Sequence, residues 1–498
     1  MDTSKYWIKK NSDKIVLSII ILQPFLDIIS FFMVKVDRTI ITTLFRMFIF
    51  GLITFMGFVC SDRKKAYFSV FSGLAIFEIV HIVICYKNGY ISFFSDFSMF
   101  LRTIQMPIFI LCFITFFKNI KDVPLLIGKG FWINYIIISS SIFISVLLGK
   151  PEFTYYPTIG IKGWFTTGNA QSCIISIMAM FALYYVYKTK NSIWFLISEI
   201  VIFSNMFYFG TRVSYFSIFI ISVFFIIFLL WNREKKYFVY IFLVLGCIIC
   251  ALNYKVSPCY INQYNTKEAF AGWDDKIMGV EKKILPEEKE LPEEVNKSIS
   301  DEDKQKKNIN EITNNDKNIN IIENQYKEYN DIYNLYLSDV VDRFGIEKVV
   351  KEYNYSKEAD IIINARTKKI NFCNMLMDEM PFLNKLFGFE YQEMIYRDTI
   401  YDPENDFPAI YYLYGYIGIL MYILVLVSII LILIIDGIKN IKKPPLELGI
   451  TGISLVLIIG IAQLSGNVLR RPNVSIYLSL FLACAIWIHN NLTSHHKR

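Results

Sequence analysis

Charge is scarce in this chain. Of its 498 residues only 19% are Asp, Glu, Lys or Arg, and histidine occurs four times. So little charge does not fit a soluble globular protein of this length. No His/Cys ligand cluster is formed, which argues against a zinc site, and no metal or cofactor is expected. The first apolar run lacks a small-residue cleavage site and is followed by further apolar runs, so it reads as an uncleaved signal anchor. Duplicated halves are absent too. Transporters built from repeats usually show matching interrupted spans in each half, so their absence counts against transport. The net charge of +7 lies mostly in short connections between apolar runs and needs no nucleic acid to explain it.

What is present is apolar bulk: 54% of residues are hydrophobic and 16% aromatic, with a mean hydropathy of +0.41. About twelve runs are long enough to span a bilayer, at roughly 15–34, 39–60, 66–86, 97–117, 131–148, 170–187, 193–209, 212–230, 237–254, 408–435, 447–469 and 474–490. The expected fold class is an all-α polytopic membrane protein, a helical bundle in lipid. Lys and Arg cluster before the first run (Lys5, Lys9, Lys10, Lys14) and after every second one, as in Arg63-Lys64-Lys65 and Lys439 with Lys442-Lys443. Basic loops stay cytoplasmic. Both termini are therefore expected on the cytoplasmic side.

Three divisions are expected: spans one to nine over 1–254, an outer segment over 255–407, and spans ten to twelve over 408–498. Within the outer segment, 280–330 is rich in Glu, Lys, Asn and Asp and is expected as a mobile insertion. Helical apolar spacing returns at Ile332, Leu335, Leu337, Val340 and Phe344, and again at Phe372, Met375 and Leu376, so a helical cap is expected over 331–400. A second outer connection, 149–169, holds four glycines and two prolines. It reads as an ordered irregular loop ending in Asn169, a good cap for the next span. Most cysteines lie in apolar runs, where a thiol behaves as a small hydrophobe. Cys259 and Cys373 fall on the outer segment, but their separation in sequence argues against a disulfide.

The most informative residues are charges where charge is costly. Asp27, Glu78 and His81 lie inside spans; Arg46, Arg102, Arg212 and Arg470-Arg471 lie at or near outer ends of inward-running helices. The positive-inside rule and the helix dipole both disfavour a cation there. Each can be offset by an anion, either a carboxylate such as Asp27 or Glu78 or a phosphate-bearing ligand held in Arg forks. Each also has a plainer account. An Arg near a helix end can snorkel to the interface, Arg470-Arg471 can be loop residues before Pro472, and Glu78 with His81, three apart on one helix face, can be a buried polar pair tying helices together. Glu199 in the seventh span reads as structural. Glu404-Asn405-Asp406-Phe407-Pro408 marks the start of the tenth span. There Asp406 can cap the helix's own N–H groups, or the carboxylates can face a reaction at the membrane surface.

In this layout and in several short motifs the chain resembles the O-antigen ligase and polysaccharide polymerase superfamily of bacterial membrane proteins. Lys162-Gly-Trp-Phe-Thr-Thr-Gly-Asn169 is similar to that family's Gly- and Asn-containing loop, and Gly210-Thr-Arg212 to its Gly-Ser/Thr-Arg motif. Arg366 through Gly388 is similar to an outer segment ending at a glycine turn. Gly415 and Gly418 match the glycines of a Gly-x-x-Gly, and Asn405 the Asn of an upstream His-Asn pair, but Glu404 stands where the His would be. Related polymerase-like members carry an acidic pattern similar to Glu404-Asn-Asp-Phe407, which tilts the expectation toward polymerase over ligase.

The resemblance implies a GT-C-like glycosyltransferase architecture. It also implies transfer of a glycan from an undecaprenyl diphosphate carrier to an acceptor hydroxyl at the outer face of the cytoplasmic membrane, without metal or nucleotide sugar. Glu404, or failing that Asp406, is then the base, Arg212 with Arg46, Arg102, Arg470 and Arg471 holds the diphosphate, and Asn169, Asn405, Glu78, His81 and Asp27 support them. Other polysaccharide assembly proteins and membrane lipid are further expected partners. The alternatives are a flippase or exporter of lipid-linked oligosaccharide, which would need charge through both membrane halves, and a membrane-anchored sensor or scaffold.

Overall fold

The computed structural model describes residues 2–269, 272, 329–464, 466 and 468–495. The insertion expected at 280–330 falls, up to 328, outside the described residues. The chain divides into two compact units, one of Met1–Gln263, Leu383–Gln392 and Glu404–Arg498, the other of Tyr264–Phe382 and Glu393–Pro403. Leu383–Gln392, which lies within the expected cap, thus groups with the apolar helices.

The first unit opens on a short helix, α1 (Asp2–Lys10), followed by α2 (Ser12–Lys35), α3 (Thr39–Cys60), α4 (Lys64–Lys87), α5 (Phe93–Phe117) and α6 (Val123–Leu147). A hairpin of β1 (Phe153–Tyr155) and β2 (Ile159–Ile161) leads to α7 (Gly168–Thr189), α8 (Ser192–Phe209), α9 (Arg212–Trp231) and α10 (Tyr237–Leu252). After the second unit come α11 (Asp406–Lys439), α12 (Leu446–Leu464) and α13 (Pro472–His495). Eleven of these, α2–α9 and α11–α13, are long and apolar enough to cross a membrane. The remaining expected span, 237–254, is the shorter α10 of 16 residues. An all-α polytopic membrane protein is what the architecture shows.

Helix ends follow local chemistry. Asn191 accepts from Trp194 N at 3.0 Å and Thr211 from Ser214 N at 3.1 Å, each satisfying an otherwise orphaned donor. Gly210, left-handed at φ +83, ends α8 so abruptly that α9 begins two residues later. The loop expected over 149–169 is ordered as the β1–β2 hairpin, with Phe153 opposite Ile161. It is fastened to the end of α8 by Thr154 Oγ1, which donates to the Phe209 carbonyl at 2.7 Å.

In lipid the helices gain little from apolar burial as such, so close packing decides which pairs associate. The centre is α7, of whose apolar stretch 94% is buried inside the protein, against 22% for α4 and α11. Phe131, Phe181, Tyr477 and Phe481 interlock there from α6, α7 and α13. Two glycines on α6 permit close approach: a Cβ on Gly128 would meet the Phe181 carbonyl, and one on Gly130 the Ile20 side chain.

A second pair of glycines explains why Leu383–Gln392 belongs to this unit. Gly388 (φ +87) lies against the backbone of Leu413 and Tyr414, and Gly415 (φ +63) against that of Leu386 and Phe387. Phe389 N donates to the Tyr412 carbonyl at 3.0 Å. Gly415 is non-helical at φ 63 and ψ −168, so α11 is broken about two and a half turns inside its start.

The second unit is helical at 329–344, Ile346–Glu352, Ala359–Ile362 and Ala365–Glu379, with a small hairpin of β3 (Ile395–Tyr396) and β4 (Thr399–Ile400). Ile332, Leu337, Val340, Phe372, Met375 and Leu376 form its core, whereas Leu335, expected with them, faces outward. Phe372 stacks on Tyr401 with ring centroids 3.7 Å apart. Asp339 accepts from both the Tyr401 hydroxyl and Lys368.

The mutual glycine contact yields a test. Gly415→Ala and Gly388→Ala each force a Cβ into backbone at a left-handed position, and each should destabilise the protein by more than ~2 kcal/mol. Gly73→Ala, in open space on α4, should be neutral. Thermal melting in detergent reads the difference.

Candidate functional site

The polar residues of the first unit gather at the start of α11 and the connection between α12 and α13. Asp406 was a candidate cap for its own helix; instead its buried carboxylate reaches across to that connection. It accepts from Val468 N at 2.6 Å and from Arg470 N at 3.3 Å, and pairs with Arg470 Nε at 3.5 Å. Asn405 occupies the N-cap position, and its side chain makes no capping bond to the helix. The Asn405 amide donates to the Gln463 carbonyl at 2.6 Å, and Gly466 lies against the Glu404 carbonyl. Glu404, Asn405 and Asp406 are thereby stapled to 463–470. Arg470, only 3% exposed, is no snorkelling loop residue: it is a buried cation matched by a buried anion.

Its neighbour Arg471 points elsewhere, donating from Nη1 to Thr167 Oγ1 at 2.9 Å, just ahead of α7. Arg471 also lies within electrostatic reach of Asp27 on α2. Asp27 accepts from Arg46 Nη2 of α3 at 2.6 Å and from Asn473 Nδ2 of α13 at 3.2 Å. Two guanidinium groups thus surround one carboxylate. Asn169, expected to cap α7, lies inside its first turn, and Thr167 holds the N-cap position. Consecutive residues Arg470 and Arg471 therefore bring Asp406, Asp27, Arg46 and the start of α7 into one constellation.

Glu78 and His81 form a neighbouring group, but not with each other. His81 Nδ1 lies 2.8 Å from the Phe387 carbonyl and Nε2 lies 3.1 Å from Asp96 Oδ2. Both ring nitrogens face acceptors, so the His81–Asp96 pair carries a proton between them. Asp96 also accepts from the Tyr90 hydroxyl at 2.8 Å and Tyr391 N at 3.1 Å. Glu390 accepts from Ile91 N at 2.6 Å and Ser92 N at 3.0 Å at the start of α5. Burial pushes its carboxyl above the usual range, and those two donors only partly offset the rise. Glu78 is buried with no hydrogen-bond partner for either oxygen among the described residues. Tyr414, packed on His81 and Phe100, lies within electrostatic reach of Glu78, Asp96 and Arg470 and so sits between the two groups.

Two expected arginines stand outside these pairings. Arg102 on α5 is half-buried, Arg212 at the first turn of α9 is exposed, and neither guanidinium has an ion-pair partner among the described residues. Near Arg212, burial raises the Cys259 thiol to about 11 although the guanidinium opposes it. Neither Cys259 nor Cys373 is in a disulfide. The same holds for Cys247 and Cys250, a Cys-x-x-Cys spacing inside the apolar run of α10.

Sequence reasoning missed Asp96, Thr167, Glu390 and Asn473. Asp96 had a visible signal, a carboxylate beside an apolar run, but the run was begun at 97. The other three depend on contacts between distant segments and had none.

Eleven spanning helices with ion pairs gathered near several of their ends define an integral membrane protein with a polar site built between spans. The chain belongs to the family of O-antigen ligase like membrane proteins, whose family model matches residues 9–490. Membership makes it a membrane enzyme of polysaccharide assembly, acting on lipid-linked glycans. No curated protein matches the chain, and no solved structure does.

The Asp406 geometry separates two adjacent carboxylates by stability. Asp406→Asn leaves Arg470 buried and unmatched and should cost about 3 kcal/mol or more. Glu404→Gln, at a half-exposed position, should stay within about 0.5 kcal/mol of the parent. Melting temperatures in detergent measure both.

Proposed function

We propose that this protein polymerises undecaprenyl-diphosphate-linked oligosaccharide units of a bacterial surface polysaccharide. It is a metal-independent glycosyltransferase at the outer face of the cytoplasmic membrane, with both termini cytoplasmic. The observation that carries the assignment of the base is the engagement of Asp406. Two backbone N–H groups and a guanidinium engage its oxygens, which turns them toward the protein rather than toward an acceptor hydroxyl.

Glu404 is then the base. It stands two residues upstream, half-exposed at the edge of the span, and its backbone is held by the Gly466 contact and the neighbouring Asn405 amide. In the transfer, Glu404 takes the proton of the acceptor hydroxyl as its oxygen attacks the anomeric carbon, and the carrier diphosphate departs with the bonding pair. A positioned base contributes about 10²–10⁴-fold. The departing diphosphate needs fixed cations. Arg212 and Arg102 are the leading candidates because no protein carboxylate pairs with them among the described residues. Arg46 and Arg470 are matched within the protein, so their charge acts on the donor at longer range, with Arg471 beside Asp27.

Purified protein incubated with undecaprenyl-diphosphate-linked oligosaccharide should yield a ladder of products on sizing. Glu404→Gln should lower the rate by about 10²-fold or more, and Arg212→Ala should shorten or abolish the ladder, with both variants inserted and folded. Unchanged polymer length in both variants refutes this function, and a single transfer to a non-lipid acceptor points to a ligase.

A further inference from the structure

A cavity of about 550 Å³ lies between α8 and α10, well away in sequence from the Asp406 motif. Ile200, Leu245 and Ile249 line it and are exposed, so it opens toward the lipid side. The walls are mostly apolar, and Glu199 breaks the pattern. Only 2% exposed, it lines the cavity with neither carboxylate oxygen hydrogen-bonded among the described residues. No Lys, Arg or His among the described residues lines the cavity with it. Seven residues after Ser192, Glu199 stands about 10 Å along α8. An ionisable group at that depth is costly unless a partner meets it, and such residues mark functional sites.

Aromatic rings complete the lining: Phe203, Phe207 and Tyr208 from α8 and Phe242 from α10. Gly246 brings one of them to the carboxylate. A Cβ there would stand 2.5 Å from Glu199 Oε1 and 2.8 Å from the Phe203 ring, so both border the space that the glycine leaves. The carboxylate supplies a negative charge, and ring faces attract a cation most strongly where water is excluded. The apolar walls suit an apolar body around that charge. A zwitterionic phospholipid fits less well, because its phosphate would enter beside its ammonium with no basic side chain in the lining to meet it. A bare metal ion fits less well too, since the described residues hold no group of three His, Cys, Asp or Glu that could ligate one.

We propose that the α8–α10 cavity binds a lipophilic organic monocation, an ammonium or phosphonium centre on an apolar body, with its charge held between Glu199 and the Phe203 ring. Such a ligand enters from the lipid side, where its body partitions, and its positive centre supplies the partner that Glu199 lacks among the described residues. The site goes beyond the transferase reading and does not rest on it, since neither a glycan nor a diphosphate takes part.

The test is equilibrium binding of radiolabelled tetraphenylphosphonium to the full-length protein in phosphatidylcholine nanodiscs, with empty nanodiscs giving the partition into lipid. Binding should saturate above that background. Tetraphenylborate, of nearly the same size but negative, should show no saturable binding when measured separately. Glu199→Gln keeps the size of the side chain and removes its charge; folded by thermal melting, it should bind tetraphenylphosphonium about tenfold more weakly or worse. Phe203→Leu should weaken binding by a smaller factor, with the carboxylate still in place. No saturable binding in the parent, equal affinity in Glu199→Gln, or tetraphenylborate binding as tightly as the cation would each overturn the proposal. Should Glu199→Gln fail to fold, the contrast between cation and anion on the parent, together with Phe203→Leu, still decides it.

Discussion

A guanidinium withdrawn from water inside a membrane protein must be matched, and the Asp406–Arg470 pair is where that requirement fixes the most structure. Removing both charges from water costs several kcal/mol per ion, which is offset only when the remaining hydrogen-bonding capacity is satisfied. Asp406 meets the condition with two backbone N–H groups of the connection it faces. That connection is thereby held against the start of α11, and the direction of Arg471 follows from the placement of Arg470. Thr167, Asp27, Arg46 and Asn473 are then reached in sequence from one anchored turn.

A second anchoring acts through backbone rather than charge. Gly388 and Gly415 let two segments cross at a separation that no side chain would tolerate, and the crossing brings Phe387, Glu390 and Tyr391 to the ends of α4 and α5. The polar groups there are satisfied by that arrival: His81 meets the Phe387 carbonyl, Asp96 meets Tyr391 N, and the N–H groups of Ile91 and Ser92 meet Glu390. Without the crossing, each would be left short of a partner in a low-dielectric region, where an unmade hydrogen bond is costly.

The spans were legible because lipid enforces a long apolar run on every helix that crosses it, and only α10 and α12 came out shorter than their runs. The β1–β2 hairpin was not legible: Thr158 to Gly160 carry weak strand signals, and the hairpin is fastened by a hydrogen bond to the end of α8. The unusual charges could be seen in the sequence, but their partners could not. Glu78 and His81 share a helix face and suggested a pair, yet the imidazole turns to Asp96 on the next helix. Asp406 precedes a proline and suggested a cap, yet its partners are sixty residues away. Gly415 was visible as a motif glycine, while its cause, a second backbone at Leu386, belongs to tertiary structure.

The arginines divide according to how each charge is met, and that division narrows the chemistry. Arg46 and Arg470 are bound to carboxylates of the protein, so their contribution to any ligand is a fixed background of positive potential weakened by the paired anion. Arg102 and Arg212 lack such partners among the described residues, so a phosphorylated ligand meeting them would not have to displace an internal anion first. Displacement would return the desolvation cost of the abandoned carboxylate. On the function proposed above, a site that releases a lipid diphosphate after every transfer is better served by cations that ligand and solvent alone compete for. Arg212, exposed at a helix start, satisfies that condition most directly.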